Sequence, residues 1–211
     1  MNGVTLVLIG PHSAGKTTLG RRLGAALGWP FDEEIGKRLR FEAIARDPKA
    51  HAFVPQPEFD ERVIREELER DLMRTGTVRI VETWHPGNLA YAESRSPEVA
   101  TRRTSLLRRV SRIPGVLVQP LWIHRAAALR RRNELGPAEI LDNLRVVAER
   151  ALAITRMWRL TELPTVWTDR CTPDEAVQDI LEAVGRLSAS NPPRFGAVQT
   201  CYDQDRRFRQ V

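Results

Sequence analysis

The sequence predicts an α/β protein built on a parallel, five-stranded sheet with helices on both faces. Three observations carry this prediction. Short apolar runs rich in β-branched residues alternate with longer stretches of helical period along most of the chain. The runs lack the in–out alternation of a half-wet sheet, as expected of parallel strands buried on both faces. Glycine, proline and capping residues mark the boundaries, so that strand and helix follow one another repeatedly.

Val4–Ile9 is the first strand, bounded by Gly10-Pro11. From Lys16 the period becomes helical, with Leu19, Leu23, Ala26 and Leu27 on one side and Gly28 as the stop. Trp29-Pro30-Phe31 reads as a short second strand ending in Asp32-Glu33-Glu34. Residues 36–75 read as two helices around a loop marked by Asp47-Pro48 and Pro55-Gln56-Pro57. The second of these helices aligns Phe59, Val63, Ile64, Leu68 and Leu72. Val78–Val81 is the third strand, cut off by Glu82.

Ser96 is the expected N-cap of the next helix, with Pro97 in its first turn. Pro114-Gly115 breaks that helix, and Val116–Ile123 is the fourth strand. An arginine-rich stretch, Arg125–Arg132, precedes a long helix that carries Ile140, Leu144, Val147, Ala151, Ile154 and Trp158. Thr165–Thr168 is the last strand. Thr172-Pro173-Asp174-Glu175 is a capping box for a final helix bearing Val177, Ile180, Leu181 and Val184. From Ser188 onward the composition changes to that of an appended, disordered arm.

A chain of 211 residues is long enough for one domain with a full core, and its hydrophobic (42%) and charged (28%) fractions are those of a globular protein. No apolar run approaches the roughly 20 residues a membrane span needs, so a cytoplasmic protein without a membrane partner is expected. Cys171 and Cys201 have no metal-type spacing and read as thiols. The net charge of +6 comes almost wholly from arginine, since lysine occurs only at Lys16, Lys37 and Lys49. Arginine suits phosphate and other anions. Nucleic acid stays open as a partner but is not favoured, and a homodimer stays open as well.

The segment Gly10-Pro11-His12-Ser13-Ala14-Gly15-Lys16-Thr17 fits G-x-x-x-x-G-K-[ST] at every fixed position. Its glycines let backbone N–H groups converge on one concavity, at which the following helix aims its positive end. Gly10, His12, Ser13, Ala14, Gly15, Lys16, Thr17 and Thr18 are therefore the expected contacts to the phosphates of ATP. Lys16 reaches the β- and γ-phosphates, and the Thr17 hydroxyl is a ligand for Mg²⁺. A buried strand before the loop and an amphipathic helix after it supply the context the motif needs. No guanine-reading Asn-Lys-x-Asp element is present, which argues against a Ras-like GTPase.

GPHSAGKTTLGRRL at Gly10–Leu23, the acidic group Asp32-Glu33-Glu34, and the stretch Glu82–Tyr91 (ETWHPGNLAY) resemble the nucleoside and nucleotide kinase group of P-loop proteins. That group includes thymidylate kinases, deoxynucleoside kinases and nicotinamide riboside kinase-like proteins. The resemblance covers about residues 3 to 187 and implies a three-layer P-loop NTPase sandwich with a kinase domain over 1–187. Residues 36–75 would be acceptor-side helices, 124–136 an arginine-rich lid, and 188–211 a tail. It also implies transfer of the γ-phosphate of ATP to a small acceptor, a nucleoside or nucleoside monophosphate. Another metabolite hydroxyl, a polynucleotide 5′-end, or a regulatory NTP-binding module without kinase activity are the alternatives.

On this resemblance Glu82 helps hold the metal, and one of Asp32, Glu33 and Glu34 is the base, with Glu34 favoured. Arg130 and Arg132 are the candidates to neutralise charge on the transferred group, because three consecutive helical arginines cannot share a face. Arg130 and Asp169 are expected near the nucleotide. Glu33, Arg38, Phe41, Trp84 and Tyr91 are expected around the acceptor, with Arg40 as a further grip for an acceptor phosphate. One departure stands out: relatives follow the acidic residue with arginine, whereas Glu82 is followed by Thr83 and Trp84.

Overall fold

The computed structural model describes residues 3–46, 57–74, 76–131 and 138–190. In chain order these form β1 (Thr5–Ile9), α1 (Lys16–Leu27), β2 (Phe31–Asp32), α2 (Ile35–Arg46), α3 (Pro57–Met73), β3 (Arg79–Glu82) and α4 (Trp84–Arg95). There follow α5 (Pro97–Ser111), β4 (Val116–Trp122), α6 (Arg125–Arg131), α7 (Ala138–Met157), β5 (Thr161–Glu162), β6 (Val166–Trp167) and α8 (Pro173–Ser190). The predicted loop at 47–56, the end of the lid segment and the tail from 191 lie outside the described residues.

Side chains alternate along β1, so Leu6 and Leu8 enter one core while Val7 and Ile9 enter the other. Leu6, Leu8, Ile80 and Leu117 pack with Leu19 and Leu23 of α1 and Ile180 and Val184 of α8. Val7, Ile9, Val81 and Val118 pack on the opposite face with Leu89 of α4, Leu107 of α5 and Ala151 and Ile154 of α7. The result is a parallel sheet covered on both faces, as the alternating pattern predicts, in the three-layer P-loop arrangement that the resemblance implies. A third, smaller cluster joins α2 to α3 through Ile35, Leu39 and Val63.

All strand pairs are parallel and run in the order β2-β3-β1-β4-β5, with β6 also paired to β4. The last position of the sheet is thus two short strands rather than the single one expected, making six. Pro120 accounts for the split. It sits inside β4, opposite Ile9, and has no N–H to give to a ladder. On one side of it Leu117–Val118 pair with β5, and on the other Leu121–Trp122 pair with β6. The Gln119 side-chain amide spans the break, donating to the Pro164 carbonyl at 2.8 Å.

Two further differences concern helices. α4 carries no helical period in the sequence: residues 84–90 are all buried, so it lacks the wet face that makes such a period visible. Ser96 precedes α5 as expected, but its hydroxyl donates to Asp60 of α3 at 2.9 Å instead of capping. The Thr172–Glu175 capping box does form, with the Thr172 amide donating to the Glu175 carboxylate at 2.7 Å and the Glu175 amide to the Thr172 hydroxyl at 3.3 Å. No helix among the described residues is long and apolar enough to cross a membrane.

Candidate active site

The strand order puts β1 between β3 and β4, so the loop leaving β1 lies beside the end of β3 at the carboxyl edge of the sheet. Leu8 is paired in register with Glu82, and Val81 with Asp32, which brings three strand ends to one cleft.

The loop itself turns through two left-handed residues, Ser13 (φ 64°) and Gly15 (φ 79°). Gly10 must be glycine for a different reason: a Cβ there would lie 2.1 Å from the Leu121 carbonyl oxygen. No side chain caps α1 and no acidic residue occupies its first turn, so its leading amides remain available to an anion. The Lys16 ammonium arches back over the loop, donating to the carbonyls of Gly10 (2.9 Å) and Pro11 (3.2 Å). The Thr17 hydroxyl donates to the Glu82 carboxylate at 2.9 Å, and Lys16 Nζ is 4.0 Å from the same carboxylate. Burial and the neighbouring Glu34 push Glu82 above the usual carboxylate range, against the pull of Lys16. Burial and Lys16 lower His12 to about 4, so its imidazole is neutral at pH 7.

A hydroxyl and a carboxylate side by side form a hard-oxygen donor pair that suits Mg²⁺, which takes few protein ligands and completes its octahedron with water and phosphate oxygens. Thr17 and Glu82 would hold the ion there.

The residues after Glu82 turn sharply. Thr83 and Trp84 both have positive φ (73° and 51°), and such strain in β-branched or bulky residues costs about 1–3 kcal/mol each. Several contacts hold the turn. The Thr83 hydroxyl donates to Glu34 at 3.0 Å, and its amide donates to the Leu8 carbonyl at 3.0 Å. The Trp84 indole N–H reaches Asp71 at 3.2 Å, and the His85 ring contacts the same carboxylate at 2.7 Å, as does Arg79 at 2.5 Å. Thr83, the neighbour of Glu82 in the chain, thus ties the end of β3 to Glu34. Trp84 is fully buried in the core, with no face for a ligand, which removes it from the expected acceptor residues.

The acidic triplet diverges. Asp32 is buried beside Arg79 (3.8 Å) and Arg74 (3.4 Å). Glu33 pairs outward with Arg21 and Lys37. Only Glu34 enters the inner pocket, with Arg40, Phe59, Asp60, Asn88, Tyr91 and Arg95. This pocket encloses about 10 Å³. Burial and the nearby Glu34 keep the Tyr91 hydroxyl protonated. Arg38 and Phe41 face an outer groove of about 850 Å³ that Asp32, Glu33 and Glu34 also line; there Arg38 pairs with Glu42 (2.6 Å) and Glu66, and Phe41 is 62% exposed. Of the five residues expected around the acceptor, then, Tyr91 alone lines the inner pocket. Asp60, Asn88 and Arg95 were not foreseen, and no motif marks them.

On the other side of the loop, Ser13, Gly15, Thr18 and Leu19 face Arg131, Thr168, Thr172 and Pro173 across a cavity of about 440 Å³. Arg131, not Arg130, lines it, and its guanidinium donates to the Thr168 carbonyl at 2.8 Å and hydroxyl at 3.2 Å. Arg130 is exposed away from this cavity, and Arg132 lies outside the described residues. Asp169 also turns away: its carboxylate accepts from the His124 ring at 2.7 Å. Burial would raise Asp169, but the hydrogen bonds from His124 prevail and hold it below the usual range. His124 in turn stacks on Trp167 at 4.6 Å.

Residues 5–143 match the AAA domain family. No curated protein matches the chain in sequence. Among solved structures, the YorR protein of Bacillus subtilis in complex with phosphorylated GDP is 15% identical with a TM-score of 0.55, over 86% of this chain and 96% of YorR. Deoxyadenosine kinase from M. mycoides with bound dCTP is 13% identical with a TM-score of 0.58, over 87% of this chain and 100% of the kinase. NadR in complex with NAD and AMP-PNP is 18% identical with a TM-score of 0.58; the match takes in 87% of this chain but only 50% of NadR. At these identities the likeness is one of fold, the P-loop kinase fold.

Proposed function

The chain belongs to the AAA domain family, and from that premise we propose that it is an ATP-dependent phosphotransferase that moves the γ-phosphate to a nucleoside or nucleoside monophosphate. One observation carries the reading: two buried carboxylates meet at the end of β3 beside the phosphate loop, Glu82 accepting from Thr17 of the loop (2.9 Å) and Glu34 accepting from Thr83 (3.0 Å). A module that only binds nucleotide needs the first and has no use for the second.

In this reading the loop amides and Lys16 hold the donor phosphates, and the neutral His12 adds no repulsion to Lys16. Magnesium, when bound at Thr17 and Glu82, offsets the charge of the β- and γ-phosphates. Glu34 accepts the proton of the acceptor hydroxyl as its oxygen bonds to the γ-phosphorus. The bond from that phosphorus to the bridging oxygen breaks, and ADP leaves with the electron pair. Arg131, beside Thr168 at the base-side cavity, steadies the nucleotide.

Among the described residues, most of the arginines whose excess keeps nucleic acid open in the sequence are engaged in ion pairs, among them Arg62–Glu66, Arg103–Glu61, Arg125–Asp142 and Arg150–Glu93. That distribution favours a small acceptor over a polynucleotide. The test is transfer of label from [γ-³²P]ATP to a panel of nucleosides, nucleotides, sugars and oligonucleotides. Labelled mononucleoside or mononucleotide products support the reading, and label on oligonucleotides alone refutes it.

A further inference from the structure

Asp60 and Arg95 pair in the inner pocket, where Asp60 also accepts from Ser96. Arg95 also lies over the Phe59 and Tyr91 rings at 5.3 and 5.0 Å. Two charges there have no ion-pair partner among the described residues: Glu34, which accepts from the neutral Thr83 hydroxyl, and Arg40. The Arg40 Nε is buried without a hydrogen-bond partner, and among the described residues no carboxylate reaches it within ion-pairing distance. Arg38, two positions earlier on the same helix, has two carboxylate partners at the surface. A guanidinium that is partly buried and unmatched is costly unless an anion completes it. The fork geometry of arginine suits a phosphate or carboxylate held through two hydrogen bonds.

We propose that the acceptor carries two separate groups: a hydroxyl that reacts at Glu34 and an anionic group, phosphate or carboxylate, that seats on Arg40. This rests on the phosphotransferase reading and narrows it. A carboxylate base is useful to a hydroxyl nucleophile but repels a phosphate oxygen that is already anionic, so Glu34 and Arg40 together select a hydroxylated anion. The hydroxyl oxygen forms the new bond to the γ-phosphorus, its proton passes to Glu34, and the bridging oxygen departs on ADP. Neutral nucleosides and sugars lack the second handle.

Entry requires the closed pocket to widen, and α2 is the part built to yield, since α3 is fixed to a main core through Ile64. Among the described residues the buried apolar side chains of α2, Ile35 and Leu39, cluster with Val63 of α3, and the flanking pairs, Arg38–Glu66 and Arg62–Glu42, are partly exposed. Few apolar contacts and solvent-exposed pairs are the marks of a segment that opens at low cost.

The experiment compares matched pairs with ATP and magnesium: nucleosides against their 5′-monophosphates, and neutral sugars against the corresponding sugar acids. Expected are an anionic substrate with kcat/KM about 10- to 100-fold above its neutral partner, the scale of one charge-assisted contact, and a phosphomonoester product by ³¹P NMR. The phosphate and carboxylate arms show which anion is used. Arg40→Gln should abolish the preference by lowering turnover of the anionic member alone, Arg40→Lys should retain part of it, and Arg65→Gln, on the exposed side of α3, should leave it unchanged. Equal turnover of both members, an equal loss for both in Arg40→Gln, or a phosphoanhydride product would overturn the proposal. If no acceptor is phosphorylated, the phosphotransferase reading fails. The anion seat is then judged by calorimetric binding of the same anions to protein loaded with a non-hydrolysable ATP analogue. Weaker binding to Arg40→Gln supports the seat, and equal binding removes it.

Discussion

The phosphate loop leaves a strand paired on both sides and packed into both main cores, whereas α2 and α3, the helices of the proposed acceptor side, flank a two-residue edge strand and share a cluster of three buried side chains. On the donor side the contacts are short in sequence and set by the loop's own backbone, as when Lys16 returns to Gly10 and Pro11. On the acceptor side they are long-range: Glu34 meets Thr83, Asp60 meets Arg95, and Asp71 gathers Trp84, His85 and Arg79. The donor half is therefore expected to be rigid and general, and the acceptor half to be adjustable and specific.

Substitutions on the two sides should separate along that line. The largest effect is expected from Lys16→Ala, which removes a cation from the transferred phosphate; kcat/KM should fall by about 10²–10³ or more, with weaker ATP binding by equilibrium titration. A loss confined to acceptor KM would contradict the division. Asp71→Ala should act through the fold. It leaves the Trp84 indole, His85 and Arg79 without their shared acceptor, and a cost of about 3–5 kcal/mol should appear in urea unfolding.

Asp71 also predicts a pH dependence. Burial alone would raise its pKa, but the hydrogen bond and charge of His85 and those of Arg79 prevail and lower it. A carboxyl with a lowered folded-state pKa contributes stability above its unfolded value near 4, and loses it as pH falls through the folded value. Wild-type stability should therefore drop on acidification below about pH 4, and the drop should be shallower in Asp71→Asn. Identical acid limbs would show that Asp71 is not the linked group.

Arg131→Ala should be milder, raising the KM for ATP by roughly fivefold, the scale of one net hydrogen bond, without changing acceptor preference. Smallest of all are the outer-groove changes Arg38→Gln and Phe41→Ser, which should leave both substrates' KM within about twofold, since exposed pairs contribute about 0–1 kcal/mol. A large change in acceptor KM would move the acceptor site into that groove.

The same contrast explains what was legible in the sequence. The loop could be read because its chemistry is encoded in eight consecutive residues, and the strands and amphipathic helices because burial imposes a period on them. Strand ends were displaced by a residue or two, and β5 escaped notice because two residues carry no pattern. On the acceptor side the reading needed tertiary knowledge. Arg38 and Arg40 are separated by about 200° around a helix, and only the docking of α2 decides which lines the inner pocket. The destination of Trp84 depends on two positive-φ residues that nothing in their side chains announces. Arg130 and Arg131 differ likewise only in helix phase. The missing arginine after Glu82 was visible, but its consequence, a threonine joined to Glu34, was not.

Glu34→Gln tests the central claim most directly, because it removes the carboxylate that distinguishes a phosphotransferase from a nucleotide-binding module while keeping the size of the side chain. In single-turnover transfer from [γ-³²P]ATP to the best acceptor, the account predicts a rate lower by about 10²–10⁴, the range of general-base catalysis, with the Kd for ATP unchanged. An unaltered transfer rate, or a loss of ATP binding equal to the loss of rate, would contradict it.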